Sequence, residues 1–313
     1  MGFTRGPLRA VAHRAGHGYK RDVGDNGVGF GEGFRRILET WNDPRIGERI
    51  DRLSRANLNA FGFDPFGYSP DYLKRVLPAV AVFYRHYFRV ETHHIDRVPT
   101  EGRALFVANH SGQLPVDGAM IGTSLLLDLE PPRILRAMVE RWVPTLPHAS
   151  VFMSRCGQVV GTPENCRALL EDDEAILVFP EGSAGISKTY DRRYQLQRFG
   201  YGFMRLALEM KAPIIPVAVV GAEEQAVSLY DWRAAARLVG APAFPITPLT
   251  PLLGPLGILP MPVKYHLLFG EPLTFVGDPN DEDGRVGRHV RHVKNAIRGL
   301  IEEGLRVRKG VFS

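Results

Sequence analysis

The chain has 313 residues, 44% of them hydrophobic, so it can bury a large core and is not an intrinsically disordered protein. Lys and Arg outnumber Asp and Glu by 39 to 34, a modest excess that suits an anionic phospholipid surface or an anionic thioester substrate. The sequence has no zinc finger, RNP aromatic signature or long basic arm, so nucleic acid is not an expected partner.

The cysteines, the first residues and the longest uncharged stretch predict a cytoplasmic protein. Cys156 and Cys166 form no CxxC pair, which indicates neither a zinc site nor a disulfide framework. No apolar segment follows Met1, so no signal peptide is expected. The uncharged stretch Leu238–Val263 is long enough to span a bilayer, but its seven prolines exclude a regular membrane helix. We therefore expect a soluble or peripheral protein.

Residues 1–68 are predicted to form an accessory N-terminal region, and residues 69–313 the main domain. Five glycines within residues 24–33 indicate a flexible segment. The apolar spacing over residues 46–53 predicts one short amphipathic helix. Ser69 followed by Pro70 is typical of a helix start, with a capping hydroxyl and a proline in the first turn.

Beyond this helix, strands and helices alternate. The sequence predicts strands near Val90, Val151–Met153 and Tyr265–Phe269, and over Ala104–Ala108, Ala175–Phe179 and Ile214–Val220. It predicts helices from about Pro115 and from Thr162, and over Ile134–Val143, Gly200–Lys211 and Val286–Leu300. This alternation predicts an α/β fold with a central, mostly parallel sheet covered by helices on both faces.

Two of the predicted strands end in polar residues that can carry chemistry. His110 comes shortly after the strand Ala104–Ala108, and Asp117 comes seven positions after His110. A carboxylate there can orient the imidazole and stabilise its protonated form. The strand Ala175–Phe179 is followed by Pro180-Glu181-Gly182, a turn with another carboxylate. Because the carboxyl ends of parallel strands meet at one edge of a sheet, an active site is predicted there.

A contact between His110 and Asp117 requires a loop between them. In a continuous helix, residues seven apart would be separated by about 10 Å along the axis. Residues 111–114 must therefore fold back. Asp117 also has a simpler interpretation as a carboxylate in the first turn of a helix, where it favours the helix dipole.

The order of four motifs resembles the PlsC-like lysophospholipid acyltransferases of the glycerolipid acyltransferase superfamily, over about residues 85–275. That family has Asn-His followed by Asp, then Phe three positions before Arg, then Phe-Pro-Glu-Gly, then an apolar strand with a central proline. The matching residues here are Asn109-His110 with Asp117, Phe152 with Arg155, Phe179-Pro180-Glu181-Gly182-Ser183, and Ile214-Ile215-Pro216-Val217.

The sequence departs from the commonest family pattern in three places. Six residues separate His110 from Asp117 instead of four, as in the branch that resembles monoacylglycerol acyltransferases. Ser154 replaces a frequent Asp, and Ala184 replaces a frequent Arg. Loss of that Arg weakens the prediction of a phosphorylated acceptor, unless Lys188 takes its place.

The resemblance implies transfer of a fatty acyl group from acyl-CoA, or from acyl carrier protein, to a hydroxyl of a lysophospholipid or related glycerolipid. It implies His110 as general base and Asp117 as its orienting partner, in an enzyme similar to 1-acylglycerol-3-phosphate acyltransferases. Acyl-CoA or acyl carrier protein would be a co-substrate, and no bound cofactor or metal is implied. The substrate-binding residues that it implies are Arg155, Phe179, Pro180, Glu181, Gly182 and Ser183.

Two alternatives remain open: a hydrolase of lipid esters or thioesters, and a non-catalytic lipid-binding protein. In each, the partner would still be a lipid. The apolar segment Leu238–Val263 is either a buried connection or an exposed patch on the bilayer, and we favour the patch because a lipid acceptor must leave the membrane to react. Together with the basic face of Val286–Leu300, it predicts contact with anionic phospholipid. We expect peripheral association with the inner face of the cell membrane.

Overall fold

The computed structural model describes residues 30–55, 57–111, 116–142, 145, 148–232 and 245–313. Within them, a seven-stranded sheet has the order β1-β9-β6-β2-β5-β3-β4. Its strands are β1 (Glu91–His93), β2 (Ala104–Ala108), β3 (Leu135–Val139), β4 (Val159–Val160), β5 (Ala175–Val178), β6 (Ile214–Val220) and β9 (His266–Phe269). Two further strands, β7 (Tyr230–Asp231) and β8 (Pro245–Ile246), pair antiparallel outside it.

The helices surround this sheet and also precede it in the chain. They are α1 (Phe30–Trp41), α2 (Pro44–Asp51), α3 (Pro70–Val82), α4 (Val116–Leu127), α5 (Ala149–Arg155), α6 (Pro163–Glu171), α7 (Ser183–Ile186), α8 (Gly202–Met210), α9 (Thr250–Leu253) and α10 (Asp283–Val307). A π-helical turn, Phe83–Tyr87, follows α3. Short 3-10 turns lie at Ile95–Arg97, Tyr190–Arg192, Ala222–Glu224 and Gly254–Ile258.

The sheet is mostly parallel, as predicted. Strands β2 to β6 run in one direction, while β9 is antiparallel to β6 and β1 is parallel to β9. Every residue of β2 and β6 is buried, which is typical of central strands covered on both faces. Along β2, Phe106 and Ala108 pack in the core under α3 and α4, and Leu105 and Val107 in the core under α8 and α10.

The N-terminal region is helical where the structure describes it. The predicted short helix is α2, which starts at Pro44 after the Asp43 cap and buries Ile46 and Ile50. The prediction of flexibility over residues 24–33 is wrong for residues 30–33, which form the start of α1. Residues 24–29 lie outside the described part. The domain boundary at residue 68 stays a prediction.

Two predicted elements are wrong in type. The segment Ile134–Val143 contains strand β3 instead of a helix, because pairing with β4 and β5 outweighs the helix propensity of Leu, Arg, Ala and Met. The segment Val151–Met153 lies in helix α5 instead of a strand. Three apolar residues cannot distinguish a strand from a helix by periodicity alone. The other predicted strands and helices are present with small changes in their bounds.

Candidate active site

The end of β2 is fixed to the neighbouring strand by the side chain of Asn109. Its amide donates to the carbonyl of Val219 (3.1 Å) and accepts from the same residue's N–H (2.8 Å). Asn109 is fully buried and follows the last residue of β2 that pairs with β6. Its side-chain amide takes the place of the backbone hydrogen bonds that would continue this pairing. The next residue, His110, therefore starts from a rigid backbone position.

His110 and Asp117 are in direct contact. Nδ1 of the imidazole lies 2.8 Å from Oδ2 of Asp117, whose side chain is fully buried. The same carboxylate accepts the N–H groups of Ser111 (3.0 Å) and Gly118 (2.8 Å). Because an ionised carboxylate only accepts hydrogen bonds, Nδ1 carries the proton and Nε2 holds the free electron pair. Asp117 also lies in the first turn of α4, so both interpretations of this residue hold.

The segment that returns the chain from His110 to α4 was predicted as a loop over residues 111–114. Residues 112–115 lie outside the described part. Ser111 is fully buried next to the dyad. His110 and Asp117 are in contact, which is the condition that requires the chain to fold back between them. The loop itself stays a prediction.

Phe179 fixes the plane of the imidazole. Its ring stacks on His110 with centroids 4.2 Å apart and an interplanar angle of 21°. Phe179 directly follows β5, and His110 lies two residues after β2, which pairs with β5. The ends of the two predicted strands therefore meet at one edge of the sheet. The imidazole side chain is 13% exposed, which leaves it reachable but largely shielded from water.

Glu181 supports the main chain of the histidine loop. Its Oε1 accepts the N–H of His110 (3.0 Å), and its Oε2 accepts the N–H of Gln197 (2.6 Å). The side chain has no exposed surface. These bonds make Glu181 a positioning residue for His110, and its predicted contact with a substrate head group stays a prediction.

A buried lysine pairs with two carboxylates next to this bond. Nζ of Lys188 lies 2.7 Å from Oε1 of Glu223 and 3.8 Å from Oε2 of Glu181. Oε2 of Glu223 accepts the N–H of Tyr194 at 2.7 Å. Burial raises the pKa of the Glu223 carboxyl, while the charge and hydrogen bond of Lys188 oppose that rise. Lys188 is thus engaged inside the protein and is not presented to a phosphate.

Gly185 is a functional position that sequence reasoning missed. A Cβ on this residue would lie 2.8 Å from Cβ of His110, 3.0 Å from its carbonyl oxygen and 3.0 Å from Cβ of Glu181. Only glycine fits between these groups. A single sequence offers no signal for this contact beyond the small residues that follow Gly182.

The other predicted site residues divide into two groups. Gly182 and Ser183 line the cavity described below, together with Phe179, whereas the carbonyl of Pro180 accepts the N–H of Gly200 (3.0 Å). Arg155 is not brought to His110. Its guanidinium lies 3.6 Å over the ring of Phe63 and donates to the carbonyl of Gly67 (3.2 Å), so its role in substrate binding stays a prediction.

A cavity of about 410 Å³ opens at His110. Apolar side chains from three helices and one strand form most of its wall: Leu73, Val76, Leu77, Val80, Ala119, Leu126, Leu135, Ala137, Met138, Val139, Phe152 and Met153. Among the described residues that line it, none is Lys or Arg, and Glu140 is the charged one. A chain of methylene groups suits this wall better than a charged ligand does.

Small residues of α4 give the cavity its width. Gly118, Ala119 and Gly122 line it with little or no side chain. A Cβ on Gly122 would have no atom within 4 Å, so it would project into open space. A Cβ at this position therefore meets no wall atom, and a side chain built on it would start in open space.

Known proteins are similar to this chain over the region that contains these residues. Residues 89–220 match the family model described as Acyltransferase, a range that holds β2, the His110–Asp117 pair and Glu181. The family match is thus to residues 89–220 and not to the whole chain. The resemblance drawn from the sequence motifs is confirmed at the level of this family.

Among the proteins similar to the chain are two curated relatives and one solved structure. An uncharacterized protein of Mycobacterium tuberculosis is 40% identical over 68% of this chain and 60% of its own length. A human protein named DGAT1/2-independent enzyme synthesizing storage lipids is 25% identical over 71% of this chain and 64% of its own. The chain thus spans about three fifths of the length of these relatives.

The solved structure is the 1-acyl-sn-glycerophosphate acyltransferase PlsC from Thermotoga maritima. It is 17% identical, with a TM-score of 0.47, over 76% of this chain and 82% of that one. A search of the described helices for one long and apolar enough to cross a membrane found none.

Proposed function

We propose that this protein transfers a fatty acyl group from an acyl thioester to a hydroxyl of a glycerolipid. The observation that carries the proposal is the pairing of a buried His110–Asp117 dyad with an apolar cavity that opens at the imidazole. The dyad supplies a base, and the cavity supplies space for a hydrocarbon chain. The donor is acyl-CoA or acyl carrier protein.

In the proposed reaction, Nε2 of His110 removes the proton from the acceptor hydroxyl as its oxygen attacks the thioester carbonyl. The carbon–sulfur bond breaks, and the imidazolium gives its proton to the leaving thiolate, which departs as the free thiol. Asp117 stabilises the imidazolium through Nδ1, where the structure has its 2.8 Å contact. Base catalysis of this kind typically contributes about 10²–10⁴-fold in rate.

The apolar cavity is proposed to hold the acyl chain. Burial of each methylene gains about 0.8 kcal/mol, so an apolar wall raises the affinity for long chains. The volume bounded by Gly118, Ala119 and Gly122 sets how much chain fits beside α4.

We infer that the acceptor is a neutral glycerolipid rather than a phosphorylated one. Ala184 offers no cation after Gly182, and Lys188 is paired with Glu181 and Glu223. The described cavity wall has Glu140 but no Lys or Arg, and a phosphate would be repelled there. The printed name of the human relative, which refers to storage lipids, supports the same class.

Membrane contact is proposed through exposed leucines near α9. Leu252 is 80% and Leu256 60% exposed, and Leu249, Leu253 and Leu259 are also exposed. A second apolar surface is the stripe on α1 formed by Phe34, Ile37, Leu38 and Trp41, all of them exposed. Apolar side chains in the interface and the net charge of +5 would together hold the protein on anionic lipid at the inner face of the cell membrane. Phe244 and the side chain of Ile258, also predicted to enter the bilayer, lie outside the described part.

The decisive assay offers the purified chain labelled acyl-CoA or acyl carrier protein with a panel of acceptors. The panel contains lysophosphatidic acid, neutral lysophospholipids, monoacylglycerol and diacylglycerol. We expect a labelled ester product on the neutral acylglycerols. Faster turnover of lysophosphatidic acid would overturn the inferred acceptor class. Labelled free fatty acid without any acceptor product would identify a hydrolase, and saturable lipid binding without turnover a non-catalytic protein.

A further inference from the structure

Three side chains that can bind a metal meet on edge strand β1 and its neighbour β9, away from the dyad. The strands are parallel, with Glu91 opposite His266 and His93 opposite Leu268. Alternate residues of a strand share a face, so the side chains of Glu91, His93 and His266 point to the same side of the sheet. Leu268 shares that side and packs in the core under α10. The histidine of the dyad stacks on Phe179, which packs against the other core.

The two imidazoles are at the distance that one metal ion requires. Nε2 of His93 lies 3.1 Å from Nδ1 of His266, and one ligand atom from each of the three residues lies within 4.8 Å of the others. Zinc–nitrogen bonds of 2.0–2.1 Å in a tetrahedral site place two ligand nitrogens about 3.3 Å apart. The observed pair needs only a small adjustment to hold an ion.

Burial shields this cluster from water. Glu91 and His93 are partly buried, and His266 is only 3% exposed. Nδ1 of His266 faces Nε2 of His93, so these two nitrogens are the ones available to a shared ion.

We propose that Glu91, His93 and His266 bind a divalent transition-metal cation of the zinc class. Two imidazoles and one carboxylate are a donor set that suits this class of ion, with water as a further ligand. The ion would join edge strand β1 to β9 and stabilise the folded chain. This proposal does not depend on the acyl-transfer reaction.

Lys264 makes a specific signature available. Its Nζ lies 3.1 Å from Oε2 of Glu91, and the side chain is about a quarter exposed. The ammonium lies at the carboxylate and repels a cation there. Replacing Lys264 by Gln removes this repulsion and therefore raises the affinity for the metal.

The test uses the full chain without a histidine tag, stripped with EDTA and titrated with zinc chloride in a calorimeter. We expect one tight equivalent. His93→Asn should weaken binding at least about tenfold, since loss of outer-shell partners alone costs 10–100-fold. Lys264→Gln should strengthen it. The matched control is His292→Gln, an exposed histidine of α10, which should leave the affinity unchanged.

Cobalt chloride provides a second measurement, because tetrahedral cobalt gives intense visible absorption that His93→Asn should abolish. Absence of a saturable site would overturn the proposal. Equal affinities in His93→Asn and His292→Gln would also overturn it. If circular dichroism shows His93→Asn to be misfolded, the same comparison is made with Glu91→Gln, whose side chain is half-exposed. Unchanged zinc affinity in that variant would then refute the assignment.

Discussion

The surroundings of the His110 imidazole are polar on one side and apolar on the other. On one side, Asp117, Glu181, Lys188 and Glu223 form a buried polar support in which each charge has a partner within 2.8 Å or accepts a backbone N–H. On the other side, the cavity wall is apolar and contains glycines. A polar group buried without a partner is costly, whereas an apolar wall tolerates changes of shape. In the proposed reaction, the support therefore fixes the base, and the cavity selects what reaches it.

The largest effect is expected from removing the base itself. His110→Ala should lower the rate of acyl transfer by about 10²–10⁴-fold and leave the fold intact, because Asp117 keeps its bonds to the N–H groups of Ser111 and Gly118. Initial rates with saturating donor measure this, with circular dichroism as the control for folding. Substantial turnover in the folded variant would contradict the mechanism.

Breaking the polar support should reduce stability. Lys188→Met leaves Glu181 and Glu223 facing each other without a cation, and loss of one partner from a buried pair typically costs about 3–5 kcal/mol. Adding Glu223→Gln to Lys188→Met should restore part of that loss, since it removes one unpaired charge. The free energy of unfolding in urea measures both.

The matched control for this prediction is Lys309→Met, which removes an exposed lysine. Its effect on the free energy of unfolding should be within about 0.5 kcal/mol of zero. An equal, small effect for Lys188→Met would show that the buried ammonium does not support the loop.

A smaller but more specific effect is expected at Gly185. The added methyl group of Gly185→Ala would come within 2.8 Å of His110 Cβ and displace the histidine loop. A displacement near 1 Å can cost about 10²-fold in rate, so the turnover number should fall more than the stability does. Gly299→Ala is the control, because a Cβ there meets nothing within 4 Å. If both variants keep the parent's rate, the close contact has no part in positioning the base.

The apolar surface outside the cavity should give the smallest effect. With Leu252 and Leu253 both changed to Asp, binding to anionic liposomes should fall about tenfold or more. Burial of each leucine side chain contributes about 1.5–3 kcal/mol of binding free energy, which the variant loses. Parent binding should decrease but persist at high salt, since screening weakens only its charge contribution. Val276→Asp, at a 94% exposed site outside this segment, is the control. A folded double variant that binds like the parent would exclude this membrane contact.

The sequence predicts the parts of the site that depend on local order. The strand before His110, the strand before Pro180 and the seven-residue spacing to Asp117 are visible in one chain, because apolar runs that end in polar residues mark strand ends. The sequence also predicts the sheet class from the alternation of its elements.

The parts that the sequence does not predict depend on packing between distant segments. Residues 134–143 favour a helix by composition, yet Leu135–Val139 form β3 because two neighbouring strands pair with them. Glu181 was interpreted as facing a substrate, yet its oxygens accept bonds from His110 and from Gln197. The closeness of Gly185 to the histidine has no local signature, since only the folded chain brings the two residues together.

One experiment tests most directly whether the polar support and the apolar cavity have separate roles. It measures turnover with acyl donors of increasing chain length. Asp117→Asn and Gly122→Phe are compared with the parent on acyl-CoA donors of increasing length. We predict that Asp117→Asn lowers the turnover number by a similar factor for every donor, because it changes only the base. Gly122→Phe should keep the parent's rate on the shortest donors and lose the longest ones, because its ring fills open space in the cavity. Equal losses at all lengths in Gly122→Phe, or a changed length preference in Asp117→Asn, would contradict this division.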